Sequence, residues 1–110
     1  MKKSEINFKI ELDPQNVPEK IWWDATDKPE TGFSESKSIS LSLWDHQQKN
    51  TLRIDLWTKE MPVDEMKRFY IDCLGGLSQS VLTATNDEWM ANEINQLCER
   101  LAQHVRRTAG

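Results

Sequence analysis

Few residues of this chain have the types and spacing that chemistry requires. His46 and His104 are solitary, and neither belongs to an HExxH motif or to a Cys/His spacing for zinc. Asp24, Asp27 and Glu30 are acidic neighbours, but they lack the oxygen-ligand spacing and central glycine of a calcium loop. The sequence has no GxSxG motif, no glycine-rich phosphate loop and no paired-carboxylate signature. We therefore predict no catalytic residue, no bound metal, no cofactor and no enzymatic activity.

Cys73 and Cys98 lie almost equally far along the chain from the turn predicted near Thr85. An antiparallel pair of helices would bring them level. A disulfide needs Cα atoms within about 7 Å, whereas helix axes pack roughly 8–10 Å apart. We predict two buried, reduced thiols, as is typical of a cytosolic chain; the sequence does not fix whether they are close in space.

Aromatic side chains on strands are the stronger candidates for a function. Trp44 shares strand parity with Ser38, Ser40 and Ser42, and Trp57 shares parity with Arg53 and Asp55. A tryptophan buries about 150–250 Å² when it is covered, so outward-facing rings need local cover or a partner. Under the second interpretation the partner-binding residues are Trp22, Trp44, Arg53, Asp55 and Trp57, and the partner is another protein or a second copy of the chain.

Size and charge restrict the class of protein. A chain of 110 residues is the length of one domain, and 29% charged residues with a mean hydropathy of −0.71 indicate a soluble globular protein. The amino terminus has no apolar segment of a signal peptide, and no apolar run approaches the roughly 20 residues of a membrane span. We expect a cytoplasmic protein without membrane insertion. A net charge of −4 disfavours nucleic acid as a partner.

Alternating hydrophobicity predicts four strands in the first half of the chain. The first covers Ile6 to Leu12 and is ended by Pro14, and the second covers Lys20 to Thr26. Residues 27–37, DKPETGFSESK, are predicted to be a mobile loop. The last two strands have Ile39, Leu41 and Leu43 on one and Leu52, Ile54 and Leu56 on the other, and they are predicted to form a hairpin.

A helical period follows Pro62. The first helix is predicted from Pro62 to Ala84, interrupted by Gly75 and Gly76, which either kink it or let another backbone come close. Thr85 with Glu88 matches a capping box before a second helix. The predicted fold is α+β: a four-stranded antiparallel β-meander followed by a two-helix hairpin packed on one face.

Three stretches resemble the gliding-motility protein GldC family. They are SEINFKIEL with NVPEKIWW, then SLSLWD, and then TLRIDLWTKEMPVDEMKRFY, which is the most specific. The resemblance implies one GldC-like domain over residues 1–110 and a cytoplasmic accessory protein that supports gliding motility. It implies partners in the motility or secretion machinery, and it carries over no catalytic residue.

Two functions from different classes remain open at this point. The first is a non-enzymatic adaptor or assembly factor that uses the aromatic outer face of the sheet. The second is a small-ligand-binding domain or a cryptic enzyme with a pocket between the sheet and the helices, near Gly75 and Gly76. An enclosed pocket with converging polar groups would favour the second, and a shallow face with exposed tryptophans would favour the first.

Overall fold

A computed structural model describes residues 1–108. The elements are β1 (Ile6–Leu12), β2 (Pro18–Ala25), β3 (Ser34–Ser36), β4 (Ser38–Trp44), β5 (Thr51–Trp57), α1 (Val63–Thr85) and α2 (Glu88–Thr108). The predicted α+β class is confirmed. Contacts divide the chain into a strand unit, Met1–Met61, and a helical unit that begins at Pro62. The single domain over residues 1–110 and the packing of the helical hairpin on one face of the sheet stay predictions.

The predicted four-stranded meander is wrong, because the described strands form two sheets. One sheet has the antiparallel order β1-β2-β3, and the other is the antiparallel pair β4-β5. The strand is interrupted between β3 and β4, at Lys37. There the Ser36 hydroxyl donates to the Ser38 carbonyl at 2.7 Å and accepts from the Ser38 N–H at 3.3 Å. Such local bonds occupy the backbone groups that a continuous strand would offer to its neighbours.

The segment 27–37 is also more ordered than predicted, because its last residues form β3 and pair with β2. Trp23 and Ile21 of β2 lie opposite Ser34 and Ser36. Gly32 precedes this strand with a φ of +87°, a backbone conformation that residues with a Cβ rarely adopt. The loop is therefore limited to the residues between β2 and β3, and its mobility stays a prediction.

The three-stranded sheet contains the one fully buried large side chain among residues 1–108. Ile21 is 0% exposed and lies opposite Ile10 of β1. The turn before β2 is built on Asp13, whose carboxylate accepts the N–H groups of Gln15 at 2.8 Å and Val17 at 3.0 Å. Asn16 takes the left-handed conformation there with φ 65°, which asparagine tolerates better than most residues. β1 ends at Leu12, just before Pro14, as predicted.

The predicted hairpin of β4 and β5 is confirmed. Leu41 lies opposite Ile54, and Ile39 and Leu43 lie opposite Leu56 and Leu52, so six apolar side chains share one face. The turn is held by Asp45, whose carboxylate accepts the N–H groups of Gln47 and Gln48. The opposite face of this hairpin carries the candidate site.

The two helices form a hairpin of their own. Pro62 precedes α1, and Asn86 ends it in the left-handed conformation, φ 60°, with its N–H donating to the Leu82 carbonyl. The predicted capping box of Thr85 and Glu88 is wrong. Thr85 is the last residue of α1, and the side chain of Asp87 instead accepts the Met90 N–H at 3.0 Å, as an N-cap residue does.

Small residues lie where the two helices meet. Ser78 is buried, and its hydroxyl donates to the Ala91 carbonyl at 2.8 Å. Gly75 and Gly76 continue α1 without interrupting it, and a Cβ built on either glycine would contact nothing within 4 Å. The expectation that this pair admits a closely packed backbone therefore has no counterpart within the described residues.

Candidate functional site

The pairing of β4 with β5 places polar and aromatic residues on one face of the hairpin. Ser38 lies opposite Trp57, and Trp44 lies opposite Thr51 at the other end. Between them, Ser40 faces Asp55 and Ser42 faces Arg53. We refer to these eight residues, Ser38, Ser40, Ser42, Trp44, Thr51, Arg53, Asp55 and Trp57, as the serine–tryptophan face.

Arg53 and Asp55 form the centre of this face. The Arg53 guanidinium donates to the Asp55 carboxylate through Nε at 3.2 Å and Nη2 at 2.8 Å. It also donates to the hydroxyls of Ser42 and Ser40, and Ser40 donates in turn to the Asp55 carboxylate at 2.8 Å. The hydrogen bond from Arg53, followed by that from Ser40, lowers the pKa of Asp55. Both charges are therefore held in fixed rotamers on the surface.

This ion pair contributes little to folding. Its side chains are 47% and 31% exposed, and water and salt screen the attraction between charges that are exposed to this degree. Its more important effect is geometric: an arginine that is already ordered loses less side-chain entropy when a partner binds. The centre of the face is thus preorganised for contact.

The two tryptophans lie at opposite ends of the face. Trp44 is 69% exposed and Trp57 is 48% exposed. Trp44 lies six positions along β4 from Ser38, the residue opposite Trp57, which corresponds to about 20 Å along the strand. Within one chain the rings are therefore two separate anchors on either side of a polar centre.

Trp22 is not part of this face. It belongs to β2 in the other sheet, where it lies opposite Lys9 and Glu35. Its ring is partly exposed, and Nε1 donates to the Glu11 carboxylate at 3.4 Å. The structure thus brings together four of the five predicted site residues, Trp44, Arg53, Asp55 and Trp57, and leaves Trp22 on another sheet.

Sequence reasoning missed the two serines that bond the central charges, although their alternation with Trp44 was a usable signal. It also missed a cluster around Lys59, whose ammonium group contacts the carboxylates of Asp13 at 3.1 Å and Glu19 at 3.0 Å. The bonds to Glu19 and then Asp13 raise the pKa of Lys59. No local pattern predicts this cluster, because Asp13 and Lys59 are 46 residues apart.

A shallow groove of about 240 Å³ adjoins the Trp57 end of the face. The turn residues Asn16, Val17 and Pro18 form one side, and β5 with Lys59 forms the other. The Lys59 N–H donates to the Pro18 carbonyl at 3.0 Å, which closes the far end of the groove. The groove extends the serine–tryptophan face toward the first turn of the strand unit.

The helical unit contains a second cavity, of about 270 Å³, between α1 and α2. Its lining is largely polar and includes Gln79, Asn92 and Asn95 beside Gly75. Ser78 also lines it, but that hydroxyl already donates its proton to the Ala91 carbonyl. Trp89, which the sequence did not single out, is 72% exposed on α2.

The described residues present no further chemical centre. Within residues 1–108, no three His, Cys, Asp or Glu side chains come together as they would around a metal ion. Cys73 and Cys98 form no disulfide and are of intermediate exposure, not fully buried as predicted, and the Cys98 thiol lies 3.9 Å from the Ile71 carbonyl. Neither described helix is long and apolar enough to cross a bilayer.

Two small antiparallel sheets followed by a helical hairpin define an α+β protein whose most distinctive surface is a polar face with aromatic ends. The family described as "Gliding motility-associated protein GldC-like" matches residues 18–107, and the chain belongs to this family. The match covers β2 to β5 and nearly all of both helices. Searches of the curated proteins and of the solved structures find no significant match.

Proposed function

We propose that this protein is a non-enzymatic, cytoplasmic accessory protein, an adaptor or assembly factor, that supports bacterial gliding motility through protein–protein contacts. Membership of a family of gliding motility-associated proteins supports the proposed role in gliding motility. The serine–tryptophan face supports protein–protein contact as the mode of action. Cys73 and Cys98, which form no disulfide, support a location in the cytoplasm, because disulfides are rare in reducing compartments.

The observation that carries this proposal is the combination of exposed rings with a fixed polar centre. Trp44 and Trp57 flank an ion pair whose hydrogen bonds are already satisfied by Ser40 and Ser42. Tryptophan and arginine are the residues most enriched among those that dominate binding energy at protein interfaces. A partner that covers both rings would therefore gain apolar burial without having to order the charges between them.

Trp22 belongs to the proposal as a second contact. A protein partner that reaches from β5 across the Lys59 cluster would meet the three-stranded sheet, where Trp22 is partly exposed. Components of the motility or secretion machinery are the proposed partners, with a second copy of the chain as a further one. Trp22→Ala tested alone separates this contact from the serine–tryptophan face.

The competing function is a small-ligand-binding domain or cryptic enzyme that uses a pocket between the sheet and the helices, near Gly75 and Gly76. Ligand pockets typically have volumes of about 300–1,000 Å³ and mostly apolar walls. The cavity beside Gly75 lies between the two helices and is smaller, and three of its eight lining residues, Gln79, Asn92 and Asn95, have amide side chains. Its buried hydroxyl, that of Ser78, already donates to a backbone carbonyl. These properties support the adaptor over the ligand-binding alternative.

Affinity capture from a gliding bacterium tests the proposal. The bait carries Trp44→Ala with Trp57→Ala, and the control carries Trp89→Ala, which removes from α2 a ring that is about as exposed as that of Trp44. Loss of a dominant interface tryptophan costs about 2 kcal/mol or more, so we expect recovery of motility components to fall at least tenfold for the double variant and to stay unchanged for the control. Equal recovery with both baits contradicts the proposal, and circular dichroism checks that both fold.

A further inference from the structure

The strand β1 has an open outer edge. It lies at the border of the three-stranded sheet and pairs with β2, and no other strand within residues 1–108 pairs with it. All of its residues are exposed except Ile10, which is of intermediate exposure. An unpaired edge offers a row of N–H and C=O groups to another strand. The question is which strand fits this edge.

Hydrogen bonds at the start of β1 show which residues face outward. The Glu5 carbonyl accepts the Thr26 N–H at 3.0 Å, and the Glu5 N–H donates to the Thr26 hydroxyl at 2.9 Å. Since backbone groups alternate in direction along a strand, the odd-numbered residues point toward β2. The even-numbered residues Ile6, Phe8 and Ile10 therefore direct their N–H and C=O groups to the open edge.

The open stretch has limits at both ends. Before β1 the chain still follows β2, because the Ser4 hydroxyl donates to the Asp27 carboxylate at 3.0 Å. At the other end the pairing of β1 with β2 becomes irregular between Glu11 and Leu12. A strand that pairs with this edge therefore has residues 4–10 available in regular geometry.

The charges of this stretch are antisymmetric about its midpoint, Asn7. The odd-numbered side chains share one face of the strand, and in chain order they are Lys3, Glu5, Asn7, Lys9 and Glu11. Each lysine is as far from Asn7 as a glutamate on the other side. Two antiparallel copies of this strand that cross at Asn7 therefore place opposite charges against each other.

We propose that β1 pairs antiparallel with β1 of a second copy of the chain, with the two-fold axis at Asn7. In this register Glu5 lies opposite the partner's Lys9, and opposite charges across a strand pair are favourable. On the apolar face Ile6 lies opposite the partner's Phe8, and β-branched with aromatic residues are a favourable cross-strand pair. In the single chain Ile6 is 66% exposed and Phe8 is 39% exposed, so both gain cover.

Charge excludes the registers on the carboxyl side of Asn7. Outward-facing residues must lie opposite each other, so the axis passes through a residue and not between two. An axis at Phe8 would place Glu5 opposite the partner's Glu11. An axis at Lys9 would place the two Lys9 side chains opposite each other. Both registers replace attraction with repulsion.

Two more distant registers fail for different reasons. An axis at Ile6 would place Lys3 opposite the partner's Lys9, which is again repulsive. An axis at Ile10 would pair opposite charges, but it would place Ile6 against the partner's Pro14, which has no N–H to donate. Among these five axes, only the one at Asn7 combines paired charges with a full row of backbone hydrogen bonds.

Lys9 already has a contact in its own chain. Its ammonium group lies 4.6 Å from the centre of the Phe33 ring. This cation–π contact uses the charge but none of the three N–H donors. An exposed cation–π contact and an ion pair across two strands are of similar strength, so exchanging one for the other is nearly neutral. The charges thus select the register, while the backbone bonds and the apolar pairs hold the copies together.

One strand pair makes a small interface. Stable complexes usually bury at least roughly 1,200 Å², so we expect a dimer with a dissociation constant in the micromolar range. The inference does not depend on the proposed function, because it uses a different edge of the strand unit and the purified chain suffices to form the pair. Its tests contain no motility component and can fail independently of the capture experiment.

Disulfide trapping tests the register. In an antiparallel pair the Cα atoms of a pair without hydrogen bonds lie about 4.5 Å apart, within the range that a disulfide bridges. Asn7→Cys, with Cys73→Ala and Cys98→Ala, is expected to form a covalent dimer at least tenfold faster than Ser4→Cys in the same background. Ser4 is the matched control, because it is also polar and exposed but lies about 20 Å from the partner's Ser4.

Charge exchange tests the specificity in sedimentation experiments from about 1 to 500 μM, a range chosen to bracket micromolar dissociation. Glu5→Lys alone and Lys9→Glu alone are each expected to raise the dissociation constant about tenfold, because two attractive contacts become repulsive. Their mixture is expected to restore a species of twice the 12.9 kDa monomer mass, since opposite charges again face each other.

A control separates this effect from the loss of the contact between Lys9 and Phe33. Lys28→Glu removes a similar cation–π contact in the same sheet, 4.9 Å from the Trp23 ring, but Lys28 is not on β1. It is expected to leave the dissociation constant unchanged. The chain that carries Glu5→Lys and Lys9→Glu together is expected to dimerise as the unaltered protein does, which guards against single variants that fold poorly.

Three results would each overturn the inference. The first is a monomer at every concentration, which would leave the edge of β1 to a strand of another protein or to none. The second is equal trapping at positions 4 and 7. The third is a mixture of the two charge variants that dissociates as readily as each variant alone.

Discussion

The glycine pair in α1 leads to a prediction that can be worked out in detail. Gly75 and Gly76 lie in the interior of a helix, and a Cβ added to either would contact nothing within 4 Å. Glycine costs about 0.8–1.0 kcal/mol relative to alanine at such a position, because the unfolded chain loses more backbone freedom. Gly75→Ala with Gly76→Ala should therefore raise the free energy of unfolding by about 1.5–2 kcal/mol.

Thermal and urea unfolding, followed by circular dichroism at the helical band, measure this effect. A gain of this size should raise the midpoint temperature by roughly 5–10 °C, given the unfolding entropy of a chain of about 100 residues. Gly32→Ala is the matched control. It adds the same methyl group to equally open space, but Gly32 has a φ of +87°, so alanine there should lower stability by about 1 kcal/mol.

Glycine is replaced by alanine in both variants, but the free energy of unfolding is expected to rise in one and to fall in the other, so the reasoning can be refuted. If the helical double variant is no more stable than the unaltered protein, open space beside the glycines is not the environment that they have in solution. A loss of stability would show that a backbone packs against α1 at this point. Stabilisation by Gly32→Ala would show that the left-handed turn before β3 is wrong.

Two further predictions concern the strand unit. Replacing the fully buried Ile21 by valine should lower the free energy of unfolding by about 0.5–1.5 kcal/mol, and replacing it by alanine should lower it by about 2–5 kcal/mol. Urea unfolding followed by tryptophan fluorescence measures both changes, and equal losses would contradict a close-packed site. The Val17 N–H foremost, together with Lys59, lowers the pKa of Asp13, so its carboxylate stabilises the fold above about pH 4 and this contribution is lost as the pH falls. Asp13→Asn should therefore weaken the decline of the urea midpoint between about pH 5 and pH 2, and an unchanged decline would refute this assignment.

The parts of the fold that follow from local patterns could be predicted from the sequence. Alternation fixed the hairpin of β4 and β5, and the helical period after Pro62 fixed α1. The break at Lys37 could not be predicted, because Ser36 and Ser38 continue the alternation of a strand while their side-chain hydrogen bonds interrupt it. The α2 cap was misassigned for a similar reason, since Thr85 and Asp87 are both good caps and only the observed end of α1 distinguishes them.

Strand alternation predicted which side chains share the candidate face, but it could not predict contacts between residues that are far apart in the sequence. Strand parity is enough to place Trp44, Arg53, Asp55 and Trp57 on one face, because side chains of a strand alternate strictly. The same rule cannot relate Trp22 to that face, since parity does not carry across a break between sheets. The Lys59 cluster depends on tertiary structure alone, and no periodicity in the sequence connects Asp13 with Lys59.

The Lys59 cluster has a consequence for the order of folding events. Each hairpin of the strand unit joins residues close in sequence. Lys59, by contrast, pairs with a carboxylate 46 residues earlier, which is a longer loop than the Arg53–Asp55 and Lys59–Glu19 ion pairs close. Contacts across long loops form after short ones, because chain closure costs entropy that local pairing has first to offset. We therefore expect the contacts of the Lys59 ammonium group to form late in folding, so that removing them speeds unfolding of the strand unit more than it slows its folding.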